Sequence, residues 1–322
     1  MSTLALRSHL RTQLKTPTGA VLLALAALLL LGGALNSQFF SPTYLLLQLQ
    51  SGAFLGVIAA GATLVILLGH IDLSVPWTLT VAATVGTAVA RAQGGAWAEL
   101  GPLAGIAAGA LIGLLNGVGV AYLRIPSLIW TLAVNTILLG AVAFYAGNTV
   151  ISSEPSPVMA ALGAGRSFGV LPNAVLVWVA VSVLVVWVLR RTLMGRYIYA
   201  VGTREVAAHM SGIDTRRVIL GAFVASGVCS AIAGLLLAGY AGQSYQRMGD
   251  PFLLPGIAAV VVGGTSILGG RGRYGGTVAG VLLITLMSSM LSLMHVPEAV
   301  KQICYGLVIV VMVGLYSRRQ GA

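Results

Sequence analysis

"GTREVAAHMSGIDTRRV", residues 202–218, places Glu205 and Asp214 among Arg204, Arg216 and Arg217. It is bracketed by "AVLVWVAVSVLVVWVLRR" (174–191) and "ILGAFVASGVCSAIAGLLLAGYA" (219–241). A helix crosses a bilayer with about 20 apolar residues, and each flank comes close to or exceeds that length. The polar stretch therefore reads as a loop between two spans. The rest of the chain repeats the pattern. Of 322 residues, 8% are charged and 58% hydrophobic, and the mean hydropathy is +0.97. A soluble domain carries roughly one quarter charged residues, so a soluble fold would lack the polar surface to stay dissolved. The expected fold is all-α: a polytopic transmembrane bundle, one domain over 1–322. The 42 glycines fit it, because small residues let helices approach closely in lipid.

Ten spans are expected, near 18–35, 43–68, 76–91, 101–122, 128–147, 171–189, 217–241, 252–269, 276–294 and 299–316. The eighth, interrupted by Pro255 and several glycines, reads equally as a broken or re-entrant segment. Cytoplasmic loops are rich in Lys and Arg. With the N-terminus inside, the cytoplasmic segments hold Arg7, Arg11, Lys15, Arg124, Arg190, Arg191, Arg196, Arg204, Arg216, Arg217, Arg271, Arg273, Arg318 and Arg319. The outer segments hold Arg91, Arg166, Arg247 and Lys301. Both termini are thus expected inside, with an uncleaved first span behind a basic flank. The net charge of +11 sets topology rather than pointing to nucleic acid. Spans two to five start outside and spans seven to ten start inside. That topology suggests an inverted repeat, as in many transporters.

The opening stretch lies in the largest inner loop, 190–217. "REVAAHMSGI" (204–213) has helical composition, and Gly212 is suited to end the helix. A short rigid helix there can either be a solvated loop element or transmit force from a cytosolic partner.

"YAVGTREVAAHMSGIDTRRV" (199–218) resembles the coupling loop of the membrane permeases of bacterial ABC importers, in the ribose, xylose and autoinducer-2 branch. Tyr199, Ala200, Gly202, Ala207, Ser211, Gly212 and Ile213 carry the match; Thr203, Arg204 and Val206 stand where the family commonly has Gly, Asn and a small residue, and the acid near the helix start is retained as Glu205. "GIAAVVVGGTSILGGRGRYGGTVAGVLLI" (256–284), "GHIDLSVPW" (69–77) and "RIPSLIWTLAVNTI" (124–137) resemble further family segments in the same order. His70 and Pro76 stand where the family commonly has Gly. The resemblance implies a permease that pairs with itself or a sister chain, cytosolic ATPase subunits, and a periplasmic sugar-binding protein that docks near 148–170 and 242–251. It implies the bacterial inner membrane as location. It also implies a coupling role for Gly202, Arg204, Glu205, Ala207, Ala208, Ser211, Gly212 and Ile213.

The chain itself has no Gly-x-x-x-x-Gly-Lys-Ser/Thr loop. If ATP drives transport, ATP and Mg²⁺ sit on another chain, and this chain needs no cofactor. No nucleophile–base pair, metal spacing or carboxylate pair is present, so neither catalytic residues nor a metal site are expected. Cys229 and Cys304 lie in apolar runs and read as packing residues.

Asp72 follows a long apolar run and precedes Ser74 and Pro76. An acid within the membrane is costly. It reads as a cap at a helix break, as a lining residue of a solute path, or as both. Thr131 and Asn135 share a helix face and complete the candidate path with Asp72 and Ser74. Asn116 reads as an interhelical hydrogen bonder. Gly263, Gly264, Thr265, Ser266, Gly269 and Gly270 read as a close crossing or bend, since the motif lacks the lysine and strand of a phosphate loop. Two other classes stay open: an ion- or proton-coupled secondary transporter, and a branched-chain amino acid permease of the same superfamily. Intramembrane ionisable groups, which the former needs, are nearly limited to Asp72.

Overall fold

The computed structural model describes residues 17–93, 95–148 and 153–318. The basic flank with Arg7, Arg11 and Lys15, residues 149–152 of the outer loop, and Arg319 lie outside the described residues. Among the described residues the regular structure is helical, with one short hairpin of two-residue strands, β1 (Arg166–Ser167) paired with β2 (Leu171–Pro172).

Helix α1 spans Pro17–Leu35, α2 Pro42–Leu67, α3 Val75–Gln93, α4 Leu100–Ala121 and α5 Ser127–Asn148. The short α6 (Pro157–Gly163) precedes the hairpin. Next come α7 (Asn173–Arg191), α8 (Leu193–Thr203), α9 (Glu205–Met210), α10 (Thr215–Ala241), α11 (Leu253–Val262), α12 (Tyr274–Leu293) and α13 (Glu298–Arg318). Among the described residues, six helices are long and apolar enough to cross a membrane: 42–67, 97–121, 127–147, 173–191, 215–241 and 274–293.

Local sequence sets the ends. Ser41 and Ser156 cap α2 and α6 with their hydroxyls, each followed by Pro at a first-turn position, where its missing N–H costs nothing. The Asp214 carboxylate accepts the Arg217 N–H to start α10 (3.2 Å). Gly242, in left-handed conformation, ends it.

α2 and α10 form the centre. From Ala53 to Leu68 nearly every α2 side chain is buried. α10 packs on α2, α3 and α4. A glycine stripe makes this closeness possible. Gly105, Gly109, Gly113 and Gly117 recur every fourth residue on α4, and each meets the α10 backbone or side chains directly, Gly105 also touching α3. A Cβ at Gly109 would sit 2.6 Å from the Gly227 oxygen, and one at Gly113 2.5 Å from the Phe223 oxygen. α5 and α7 lie outside this core and turn large apolar residues such as Ile129, Phe144, Val183 and Trp187 outward. Such a surface suits lipid tails or another apolar chain.

The bundle is interrupted in two places. After α2 the chain turns at Leu68–Gly69 and runs irregularly through Asp72 before α3 begins. After α10 the segment 242–252 folds back along α3: Ser244 meets the Thr87 hydroxyl (2.8 Å), and the Gly249 N–H donates to Thr80 Oγ1 (3.2 Å). From Thr87 to Thr80 is about 10 Å along a helix, so this segment is more than the external loop its polarity suggests. α11 then continues for ten residues, about 15 Å and half of a hydrocarbon core. The eighth apolar stretch is therefore broken, and 263–273 is an irregular turn into α12 rather than helix.

Candidate functional site

The loop 190–217 folds as two helices rather than one. α8 buries Gly195, Ile198 and Val201 on one face, and in the sequence it is short and directly follows the Arg190–Arg191 end of α7, with Arg196 inside it. α9 follows at once and buries Ala208 while Val206 and Met210 are 70% and 85% exposed. Its end is a Schellman motif. The Ile213 N–H donates to the Ala208 carbonyl (3.1 Å) and the Gly212 N–H to that of His209 (3.0 Å), with Gly212 at φ +83°. Thr215 Oγ1 donates to Glu205 Oε1 (3.3 Å), tying α9 to the first turn of α10. Arg204, Glu205, Ala207, Ser211 and Gly212 are exposed, and Ile213 is half-buried.

α8 ends against two turns. A Cβ at Gly202 would collide with the Leu67 carbonyl oxygen. The Gly270 N–H donates to that same oxygen (2.8 Å). Gly269 (φ +85°) lies against Gly69 and the Gly202 oxygen, and Gly270 (φ +69°) against Thr203. Tyr199 Oη donates to the Gly272 carbonyl (3.0 Å). Gly263 presses on Gly276 at the start of α12, Gly264 turns with φ +92°, and Ser266 N–H donates to the Arg271 carbonyl (2.8 Å). Thr265 is fully buried without a partner for its hydroxyl. The glycine motif is thus a compact turn, wedged between the end of α8 and the turn that ends α2.

That α2 turn leads into the polar break. His70 sits in it, touching Phe223 on α10. Burial pushes the His70 imidazole below its ordinary pKa, and the Glu205 carboxylate pulls it partly back, so α9 is in electrostatic reach of this turn. Two residues on, Asp72 Oδ1 accepts from the Ser74 N–H (3.0 Å) and Oγ (2.6 Å), and Oδ2 from Ser226 Oγ on α10 (2.9 Å). Asn116 Nδ2 on α4 donates to Ser74 Oγ (2.7 Å), leaving its buried Oδ1 without a partner. Thr131 on α5 accepts the Leu73 N–H (2.9 Å) and donates to Ser127 O (2.7 Å). Ser226 is eleven residues into α10, roughly 16 Å along its axis, so Asp72 lies well inside the bundle.

The structure therefore joins Asp72 and Ser74 of the break with Asn116 on α4 and Ser226 on α10 in one buried hydrogen-bond network, and Thr131 on α5 holds the adjoining backbone at Leu73. Asn135, one turn beyond Thr131, stays outside it, its Oδ1 buried without a partner. Ser226 and His70 belong to this region but escape sequence reading. Ser226 lies in an apolar run where one hydroxyl changes little, and its tie to Asp72 spans 154 residues. Among the described residues no group of three or more His, Cys, Asp or Glu could hold a metal. Cys229 and Cys304 are unbridged.

Comparison with known proteins bears on the same chain length. A family model described as "Branched-chain amino acid transport system / permease component" matches residues 44–313. The ribose import permease protein of Haemophilus influenzae is 33% identical over 296 residues, 90% of this chain and 90% of that protein. The fructose import permease protein of Rhizobium meliloti is 33% identical, covering 93% of this chain and 85% of that one. The autoinducer 2 import system permease protein of Salmonella paratyphi B is 32% identical, covering 89% and 82%. No solved structure matches. The chain is a polytopic helical membrane protein, not itself an enzyme, and it belongs to the family of transport-system permease components whose model covers it from residue 44 to residue 313.

Proposed function

We propose that this chain is the transmembrane subunit of an ABC importer that moves a monosaccharide-like solute inward across the bacterial inner membrane by alternating access. One observation carries the reading: the end of α8, from which α9 continues, is seated on the Leu67–Gly69 turn through Gly202, and that turn runs directly into the Asp72 network. A push on α9 reaches the polar break through backbone contacts, without a flexible linker between. The ATPase that pushes is a separate chain holding ATP and Mg²⁺. Gly202, Arg204, Glu205, Ala207, Ala208, Ser211, Gly212 and Ile213 form its docking element. Asp72, Ser74, Thr131 and Asn135 border the solute path at the break.

The sugar assignment rests on relatives named for ribose, fructose and autoinducer 2 import. The domain is single over 1–322 and pairs with a second permease chain. A periplasmic binding protein delivers the solute to the opposite end. The arginine-bearing end, with Arg124, Arg196, Arg204, Arg271 and Arg273, faces the cytoplasm together with both termini, as positive-inside bias favours. Ten crossings follow if 242–262 counts as one, made half of irregular, turn-rich chain and half of α11. An inverted repeat is supported by the two breaks. Each follows a long central helix and carries an acid and a proline, Asp72 with Pro76 and Asp250 with Pro255, and Gly249 rests directly on Pro76.

The test is uptake in vesicles holding permease, ATPase and binding protein, with ATP supplied only on the side of α9. Glu205→Lys and Gly212→Pro should abolish uptake while membrane insertion and ATP hydrolysis persist. Uptake driven by an ion gradient, without nucleotide or companion chains, would show a secondary transporter instead. Because the matched family model is described for branched-chain amino acids, leucine in the same vesicles separates that reading from sugar import.

A further inference from the structure

A cleft of about 360 Å³ lies between α2, α10, α11, α12 and α13, lined toward the α12–α13 connection by Ser292 near the end of α12 and Glu298 at the start of α13. It is in the half of the bundle remote from α9. Small-molecule sites usually measure about 300–1,000 Å³. Its α12 wall presents Thr285, Ser288, Ser289 and Ser292, a spacing that puts all four on one helix face. Across from them stands Gln48 of α2, which donates to Ser289 Oγ (2.6 Å). Phe54 and Tyr240, in tilted ring contact at 5.4 Å, supply an apolar flank. The wall groups are hydroxyls and an amide. The one carboxylate, Glu298, is already held by Lys301 (3.1 Å).

Thr285 distinguishes this face from ordinary helix packing. Thr63, Thr80, Thr84 and Ser292 return their hydroxyls to the carbonyl four residues back. The Thr285 hydroxyl has no partner, although the residue is only 9% exposed. A buried hydroxyl without a partner is a standing cost to the fold, and here it belongs to a residue that lines the cleft, its oxygen facing Gly52, where an added Cβ would stand 3.4 Å from it.

We propose that this cleft is a receiving site for a neutral polyhydroxylated solute of the monosaccharide class, with Thr285 reading a solute hydroxyl at its floor. An amino acid would ask for opposite charges on the wall, which this lining does not offer. The inference rests on the importer reading and adds the place and chemistry of solute contact.

The complete complex of permease, ATPase and binding protein, reconstituted in vesicles, tests it with labelled D-ribose and D-fructose and the deoxy analogues of whichever is moved. Thr285→Val should cut uptake per ATP hydrolysed about five- to tenfold, as expected for one lost hydrogen bond. It should also change the ratio of sugar to deoxy-sugar uptake relative to wild type. The binding protein is common to both arms, so its own selectivity cancels. Thr285→Ser should restore the ratio, and Ser288→Trp should block flux while ATPase stimulation remains. If Thr285 only packs, Val removes an unpaired hydroxyl and uptake stays at wild-type level or above. That result, with an indifferent Ser288→Trp, overturns the proposal alone. A wild-type complex that moves neither sugar defeats the sugar-importer reading and the receiving site with it.

Discussion

Asp72 accepts hydrogen bonds from the Ser74 N–H, the Ser74 hydroxyl and Ser226 Oγ, and so fastens the start of α3 to the middle of α10. Asp72→Ala strands those donors in the interior, at a cost of about 1–3 kcal/mol. The expected readout is a lower melting temperature of the detergent-solubilised protein, with Asp72→Asn much closer to wild type. Gly212 is a separate case, because nothing lies within 4 Å of a Cβ built there. Gly212→Ala therefore tests backbone strain alone, about 1–2 kcal/mol for a left-handed residue. It should loosen the end of α9 and slow uptake partially, whereas Gly212→Pro abolishes it. Asp72 was legible from its lone charge in an apolar run, and Gly212 from its place after a helical stretch. Ser226 was not, because a single serine in an apolar span carries no local mark of the partner it finds 154 residues away.

At the level of elements, hydropathy located the long helices to within a few residues, since a run of some twenty apolar residues has few alternatives in lipid. It failed where polarity and position disagree. α8 was hidden because it is only eleven residues long and starts right after Arg190 and Arg191, so its buried positions 195, 198 and 201 read as part of a polar loop. Segment 242–252 reads as an outer loop because Gln243, Gln246, Arg247 and Asp250 are polar, yet Ser244 and Gly249 anchor it beside α3. The serine face of α12 is averaged away inside an apolar window. The α4 glycines suggested close packing in general but not the partner, which the structure identifies chiefly as α10. Gly109→Leu should force α4 away from α10 and cost about 1–3 kcal/mol or more, as overpacking does. Lower yield of folded protein and earlier thermal unfolding are the measures, with Gly140→Leu, where a Cβ meets open space, as the neutral control.

The whole molecule has two unlike ends. One gathers α8, α9, the glycine turn and most of the arginines; the other holds α6, the hairpin and the mouth of the cleft. Their sidedness is testable in a background with Cys229 and Cys304 replaced. A cysteine at Met210 should react with a membrane-impermeant maleimide only in inverted vesicles, and one at Phe168, 97% exposed, only in right-side-out cells. The converse labelling would turn the topology over. α5 and α7 turn outward leucines and valines that suit lipid and protein alike. The glycine-lined seam between α4 and α10 has a mechanical meaning as well. Where α4 carries no side chain, at Gly105, Gly109, Gly113 and Gly117, the α10 backbone and the side chains of Leu220, Ala231 and Leu235 press directly on it, and the two helices are geared together. A stroke delivered at one end of the pair arrives at the other as displacement, not as local give.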